Sequence, residues 1–348
     1  MAYTTIDNPE LYFQTKLYAG NSTARSITFD GSENMQPDWV WIKERDDAIN
    51  HYDYDSVRGV DKRLQQNITN AESDTDTTWF RSFDTNGFTI GTEDNINDTG
   101  DNYVAWCWKA GTSFSNDASA TSVGTIDSTG SINTTAGFSI ISYSGTGTAG
   151  TIAHGLGSTP KMIIVKVRNF ATNWLVQHAN VASTKVLYLD ANNAETTDSV
   201  FNDTLPTSSV FSVKTANGIN ASGKTYIAYC FSEIKGYSKF GSYTGNGNAD
   251  GTYVHLGFRP AWIVVKPIDA TQNWQIHDTK RLGYNVTNKN LSFNNTASEA
   301  ENDFMDILSN GFKIRRSDVL NVSGDEYIYW AFAESPFVNS KGVPTNAR

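Results

Sequence analysis

Apolar and polar residues alternate along this chain over short runs, and Gly, Asn, Ser and Thr break the runs at close intervals. A period of two predicts β-strands joined by tight turns, and no segment carries a convincing helical period. The stretch from Lys62 to Asp84, with its counterparts further on, is where a short helix or a long loop is expected.

The pattern is written three times. Tyr18, Tyr143 and Tyr243 each open a glycine-bearing segment, after which come "PDWVWIK", "PKMIIVK" and "PAWIVVK", ending on Lys43, Lys166 and Lys266. His51, Trp174 and Trp274 lie eight residues beyond these lysines. Leu64, Leu187 and Leu291 follow, each with an acid eight residues later at Glu72, Glu195 and Glu299. Phe88, Phe211 and Phe312 come next, then Asn97, Asn220 and Asn321, then Tyr103, Tyr226 and Tyr327. Equal spacings in three segments mark an internal repeat, and a repeat governs how every other feature is read.

The last tyrosine of each copy opens an apolar strand: "YVAWCW", "YIAYCF" and "YIYWAF". One face carries Trp106 and Trp108, matched by Tyr229 and Phe231 and by Trp330 and Phe332. The other carries Cys107, matched by Cys230 and Ala331, a small core position and not a reactive thiol. Both faces are apolar, so this is a central strand covered on both sides. Phe88, Phe211 and Phe312 belong to the same expected core.

The fold class is therefore all-β: three tandem β-sandwiches of jelly-roll or lectin-like type. The repeats bound units at 1–111, 137–236 and 237–338, with a Ser/Thr/Asn/Gly-rich linker or surface arm at 112–136 and a polar, mobile tail at 339–348.

Composition narrows the function. A net charge of −10 argues against tracking nucleic-acid phosphates. No run is long and apolar enough for a membrane helix, and the first residues have no signal-peptide pattern. Two cysteines in 348 residues are too few for a disulfide framework.

Candidate chemistry is sparse. No histidine pair has zinc spacing, and no nucleophile elbow, phosphate loop or dinucleotide fingerprint is present. Asp53 and Asp55 alternate onto one strand face as a glycosidase pair would, but the other copies put Val176 and His178, or Ile276 and Asp278, at those sites. The acidic loop around Asp94, Asp98 and Asp101 keeps only its Asn and Gly in the other copies, so it is read as turn chemistry and not as a calcium loop. Lys43, Lys166 and Lys266 are expected to lay their stems over the core with their ammonium groups in water. Arg58 and Arg281 are expected to pair with Glu72 and Glu299. The expectation is no catalytic residue, no metal and no cofactor. Tyr52, Tyr54 and Trp79 are the candidate contacts if the chain binds glycan.

The motifs "PDWVWIKERD", "NYVAWCWKAG", "GTIAHGLGSTPKMIIVK" and "IAYCFSEIKGYSKFGSYTGNG" resemble a family of repeat-bearing virion proteins of marine tailed bacteriophages, and the likeness runs over almost the whole chain. The resemblance implies a non-enzymatic structural protein of the phage particle, assembled in the host cytoplasm. A tail fibre or host-recognition component comes first, and a head-decoration or head-fibre protein second. It also implies other virion proteins as partners, a homotrimer, and host surface glycan as a ligand. The competing class is a host-glycan depolymerase.

Overall fold

The computed structural model describes residues 3–281, 285 and 287–345. It is nearly all-β. Among the described residues the only helices are a 3₁₀ turn at Pro9–Leu11 and single turns at Asp94–Asn97 and Ala118–Thr121. The stretch from Lys62 to Asp84 is extended chain with three short strands, Lys62–Arg63, Ser73–Asp74 and Phe80–Asp84.

One strand order recurs three times. Phe13–Ala19, Asn102–Trp108, Trp39–Glu44 and Tyr52–Asp55 lie side by side in that order, all antiparallel. Phe138–Ser144, Thr225–Ser232, Pro160–Val167 and Leu175–His178 repeat it, as do Ser238–Thr244, Glu326–Pro336, Phe258–Pro267 and Gln275–Asp278. The register is the same too: Tyr18 faces Tyr103, Tyr143 faces Tyr226, and Tyr243 faces Tyr327. Each tyrosine pair is stacked with ring centroids about 5 Å apart. The hydroxyls of Tyr18, Tyr143 and Tyr243 donate to the carbonyls of Ile96, Ile219 and Leu320.

The two faces of each sheet meet different partners. The face bearing Tyr103, Ala105 and Cys107 packs with Phe88 and Ile90 of the neighbouring outer strands, and equivalent clusters form around Phe211 and Phe312. The opposite face, with Trp106 and Trp108, meets the other two copies. Trp39, Trp41, Trp106, Trp108, Tyr229, Phe231, Trp262, Trp330 and Phe332 share one continuous core drawn from all three segments. The segments are therefore not three independently closed domains, because detaching one would expose its tryptophan face. Cys107, Cys230 and Ala331 are buried, and the two cysteines sit as free thiols in different clusters.

The linker expected at 112–136 is corrected. Thr112–Asn116 and Ser128–Asn133 pair with each other and then with Phe138–Ser144, widening the second sheet at its edge. Phe114, Ile126 and Ile132 anchor this hairpin on the second segment's core. A polar sequence can do this because an open edge offers backbone donors and acceptors whatever the side chains are. The tail is also tied down as far as it is described: Ser340 donates from its amide and hydroxyl to Asp7. Residues 346–348 lie outside the described residues.

A buried asparagine pins each turn. The side-chain amide of Asn220 donates to the carbonyls of Thr148 (2.7 Å) and Lys214 (2.8 Å), and its Oδ1 accepts from the Thr146 amide at 2.9 Å. Asn97 and Asn321 make the same three kinds of bond. Beside them Gly20, Gly145 and Gly245 approach so closely that a Cβ would stand within 1.9, 2.2 and 2.1 Å of a carbonyl oxygen. Asn220→Ala removes three hydrogen bonds, to the Thr146 amide and the Thr148 and Lys214 carbonyls, all on exposed residues, so urea unfolding followed by tryptophan fluorescence should show a loss of about 1–3 kcal/mol. A loss below about 0.5 kcal/mol would contradict the latch.

Candidate functional site

The repeated polar residues converge on the junctions between segments, and the junctions close a ring. The chain after each repeated leucine crosses to the next copy. Glu72 donates its amide to the Arg168 carbonyl at 2.7 Å, Glu195 to Ile268 at 2.6 Å, and Glu299 to Arg45 at 2.7 Å. First thus meets second, second meets third, and third returns to first. The position eight residues past each lysine makes an equivalent contact: Trp174 Nε1 donates to Gln65 O, Trp274 Nε1 to Tyr188 O, and His51 Nε2 lies 3.1 Å from Ser292 O. His51 Nδ1 accepts from Trp41 Nε1, which makes Nε2 the donor and the ring neutral.

The three lysines depart from expectation. Lys43, Lys166 and Lys266 are fully buried, not water-facing. Lys166 Nζ donates to Thr69 O of the first segment at 2.9 Å and to Thr172 O at 2.5 Å. Lys266 Nζ reaches Pro267 O at 2.6 Å and Asn192 O of the second segment at 3.4 Å. Desolvation lowers all three to about 8. The strand ends where the next loop covers it, so carbonyls take the place of water around each ammonium.

Acid and base pair across two junctions. Arg168 grips Glu72 in bidentate fashion at 2.8 and 2.9 Å, and Arg45 grips Glu299 at 2.9 and 3.0 Å. The expected partners Arg58 and Arg281 also reach Glu72 and Glu299, each at 3.4 Å. At the middle junction Ile268 stands where Arg45 and Arg168 stand elsewhere, and Glu195 lies 3.7 Å from Lys185.

Asp53 and Asp55 do share a face, but it is sealed. The Tyr229 hydroxyl bridges them at 3.1 and 2.7 Å. Trp39 Nε1 donates to Asp53 at 2.9 Å, and Arg58 Nε donates to Asp55 at 2.5 Å. Both carboxylates are wholly buried, and desolvation raises Asp53 to about 6. With neither carboxylate in contact with solvent, this pair has no room for a sugar or an attacking water. In the third segment Asp278 receives Trp106 Nε1 at 3.0 Å and Arg281 Nε at 2.6 Å. In the second, His178 and Val181 fill the equivalent space without a charge pair.

Of the candidate glycan contacts, Tyr52 and Tyr54 are buried, so they offer no platform. Trp79 is half-buried under Arg63, whose guanidinium lies 4.0 Å from its ring centroid. Among the described residues the large exposed aromatic rings are instead Tyr3, Phe170, Tyr253 and Phe337. A groove of about 490 Å³ lies beside the added hairpin, and its lining mixes Thr125, Thr129, Ser142, Ser144 and Thr225 with Ile126, Asp127 and Tyr143. Composition gave no signal for it, because the groove exists only once the hairpin is docked.

Fold and junctions together define an all-β protein whose three like segments close a ring around one aromatic core. The chain belongs to the family described as Domain of unknown function (DUF7483), which matches residues 8–336 and so takes in all three segments as one unit. No curated protein and no solved structure matches it.

Proposed function

We propose that the chain is a non-enzymatic structural component of a bacteriophage virion, with a tail-fibre or host-recognition role first and head decoration second. The observation that carries this reading is that the repeated positions bearing chemistry (the lysines, the paired acids and arginines, the strand tryptophans) are all spent inside the junction ring. Such a ring suits a rigid block that presents loops, and loops on a rigid scaffold are where binding surfaces commonly lie. The sequence resemblance to marine phage virion proteins points the same way. The groove beside the hairpin, with serines and threonines next to apolar Ile126 and Tyr143, supports host surface glycan as the ligand, since sugars offer both hydroxyls and apolar ring faces.

The homotrimer implied by the resemblance has a counterpart within one chain, because three like segments already present threefold-related surfaces. A single copy could cap a fibre axis or occupy a capsid threefold position. Cryo-microscopy of the intact particle tests the assignment. Density on the tail supports the first role, density only on the capsid lattice replaces it with decoration, and absence from the particle overturns the proposal. Release of new reducing ends from host polysaccharide by the purified protein would favour the depolymerase instead.

A further inference from the structure

Where the first segment's strand Trp39–Glu44 ends, three carboxylates converge with no counterpart in the other copies. Oxygen atoms of Glu44, Asp47 and Asp101 all lie within 4.8 Å of one another. Two ligands held about 2.4 Å from one calcium ion can be no further apart than about that distance. Glu44 is only 3% exposed, and its Oε1 has no hydrogen-bond partner. A buried carboxylate oxygen without a donor is costly, and something must satisfy it. Lys43 does not: its ammonium is turned to the main-chain carbonyls of Glu44 and Asp47.

The internal repeat supplies a control. The second segment has Val167, Phe170 and Lys224 at these positions, and the Lys224 ammonium sits 4.5 Å from the Phe170 ring centroid. One copy thus fills this corner with its own cation over an aromatic ring. The first copy fills it with three acids and supplies no ammonium to them. In the third copy the positions are Pro267, Ala270 and Asp325, which cannot form a site.

We propose that Glu44, Asp47 and Asp101 bind one divalent cation, calcium by the hardness of an all-oxygen donor set, which ties the loop after Glu44 to the turn before Asn102.

Isothermal titration of calcium chloride into chelator-treated protein tests this. The expected result is one calcium per chain with Kd between about 10⁻⁵ and 10⁻³ M, together with a rise in Tm on adding calcium. Glu44→Gln and Asp101→Asn should each weaken binding at least about tenfold, one ligand's worth at 1.4 kcal/mol, and abolish the Tm rise. Asp98→Asn, next to the site but outside the three, should bind as wild type. The Tm of Glu44→Gln in chelator should match or exceed wild type, which separates lost binding from lost folding. No heat and no Tm shift at about 10 mM calcium, tenfold above the weakest affinity expected, would overturn the site. Undiminished binding by Glu44→Gln and Asp101→Asn would overturn it equally.

Discussion

Acidification from pH 6.5 to 5 should destabilise this protein steeply, at about 2–3 kcal/mol per pH unit. Four histidines, His51, His154, His178 and His277, are buried at 1% exposure or less. Desolvation depresses each: His154 and His178 to about 4, His277 to about 3, and His51 well below the ordinary range. The unfolded chain protonates them near 6.5, whereas the folded chain does not, so the unfolded state binds up to four more protons in this window. Stability that is present above the unfolded value is therefore lost as pH falls. Two carboxyls oppose the effect. Asp53 and Glu44, raised to about 6 and about 7, take up protons in the folded state that the unfolded chain takes only at lower pH. Four against two leaves roughly two protons in favour of unfolding. Asp38 and Asp190, also raised by burial, act in the same direction as those two carboxyls. Chemical denaturation at half-unit pH steps measures the slope directly. A flat or rising stability between pH 6.5 and 5 would mean that the imidazoles are not sealed.

The lysines predict the same sign on the alkaline side. Lys43, Lys166 and Lys266 are depressed to about 8, so between about pH 8 and 10 the unfolded chain again binds more protons, and stability should rise with pH. Above that range the buried tyrosines, raised by desolvation, reverse the trend.

The sequence made the repeat plain because equal spacings survive any change of side chain, and Lys43, Lys166 and Lys266 alone suffice to align the three copies. Burial of Trp106 and Trp108 was equally legible from alternation. What covers them was not. A period of two says which residues share a face and nothing about what stands opposite, so a self-contained sandwich and a face shared among three copies look alike. The same limit hid the environment of the lysines, whose water is displaced by main-chain carbonyls, those of the preceding copy included at Lys166 and Lys266. Tyr229, which seals Asp53 and Asp55, lies more than a hundred residues away in sequence, and no local pattern joins them. The interlocking salt bridges did leave a trace: Arg45 and Arg168 both stand two residues past a repeated lysine, and Ile268 stands there in the third copy. Reading those positions against Glu72 and Glu299 of the preceding copy, rather than of the same one, would have suggested a ring. The hairpin at 112–136 left almost none, because its pairing is made by backbone.

Replacing Arg58 with methionine should cost about 3–5 kcal/mol in urea or guanidinium unfolding. The guanidinium is wholly buried and reaches Asp55 at 2.5 Å, Asp53 at 3.4 Å and Glu72 at 3.4 Å. Without it, two fully buried carboxylates would keep only neutral donors, Tyr229, Trp39 and nearby amides. The middle junction shows that the ion pair itself is dispensable, for there Val181 and a neutral His178 pack into the shared core with no charge to compensate. The penalty thus belongs to the orphaned acids more than to the lost attraction, and removing an acid together with the arginine should recover part of it. In a double-mutant cycle, Asp55→Asn with Arg58→Met should lose at least about 1 kcal/mol less than the two single losses added. If Arg58→Met instead unfolds within about 1 kcal/mol of wild type, water reaches the junction and the sealed reading of Asp53 and Asp55 fails, which would reopen that pair to chemistry.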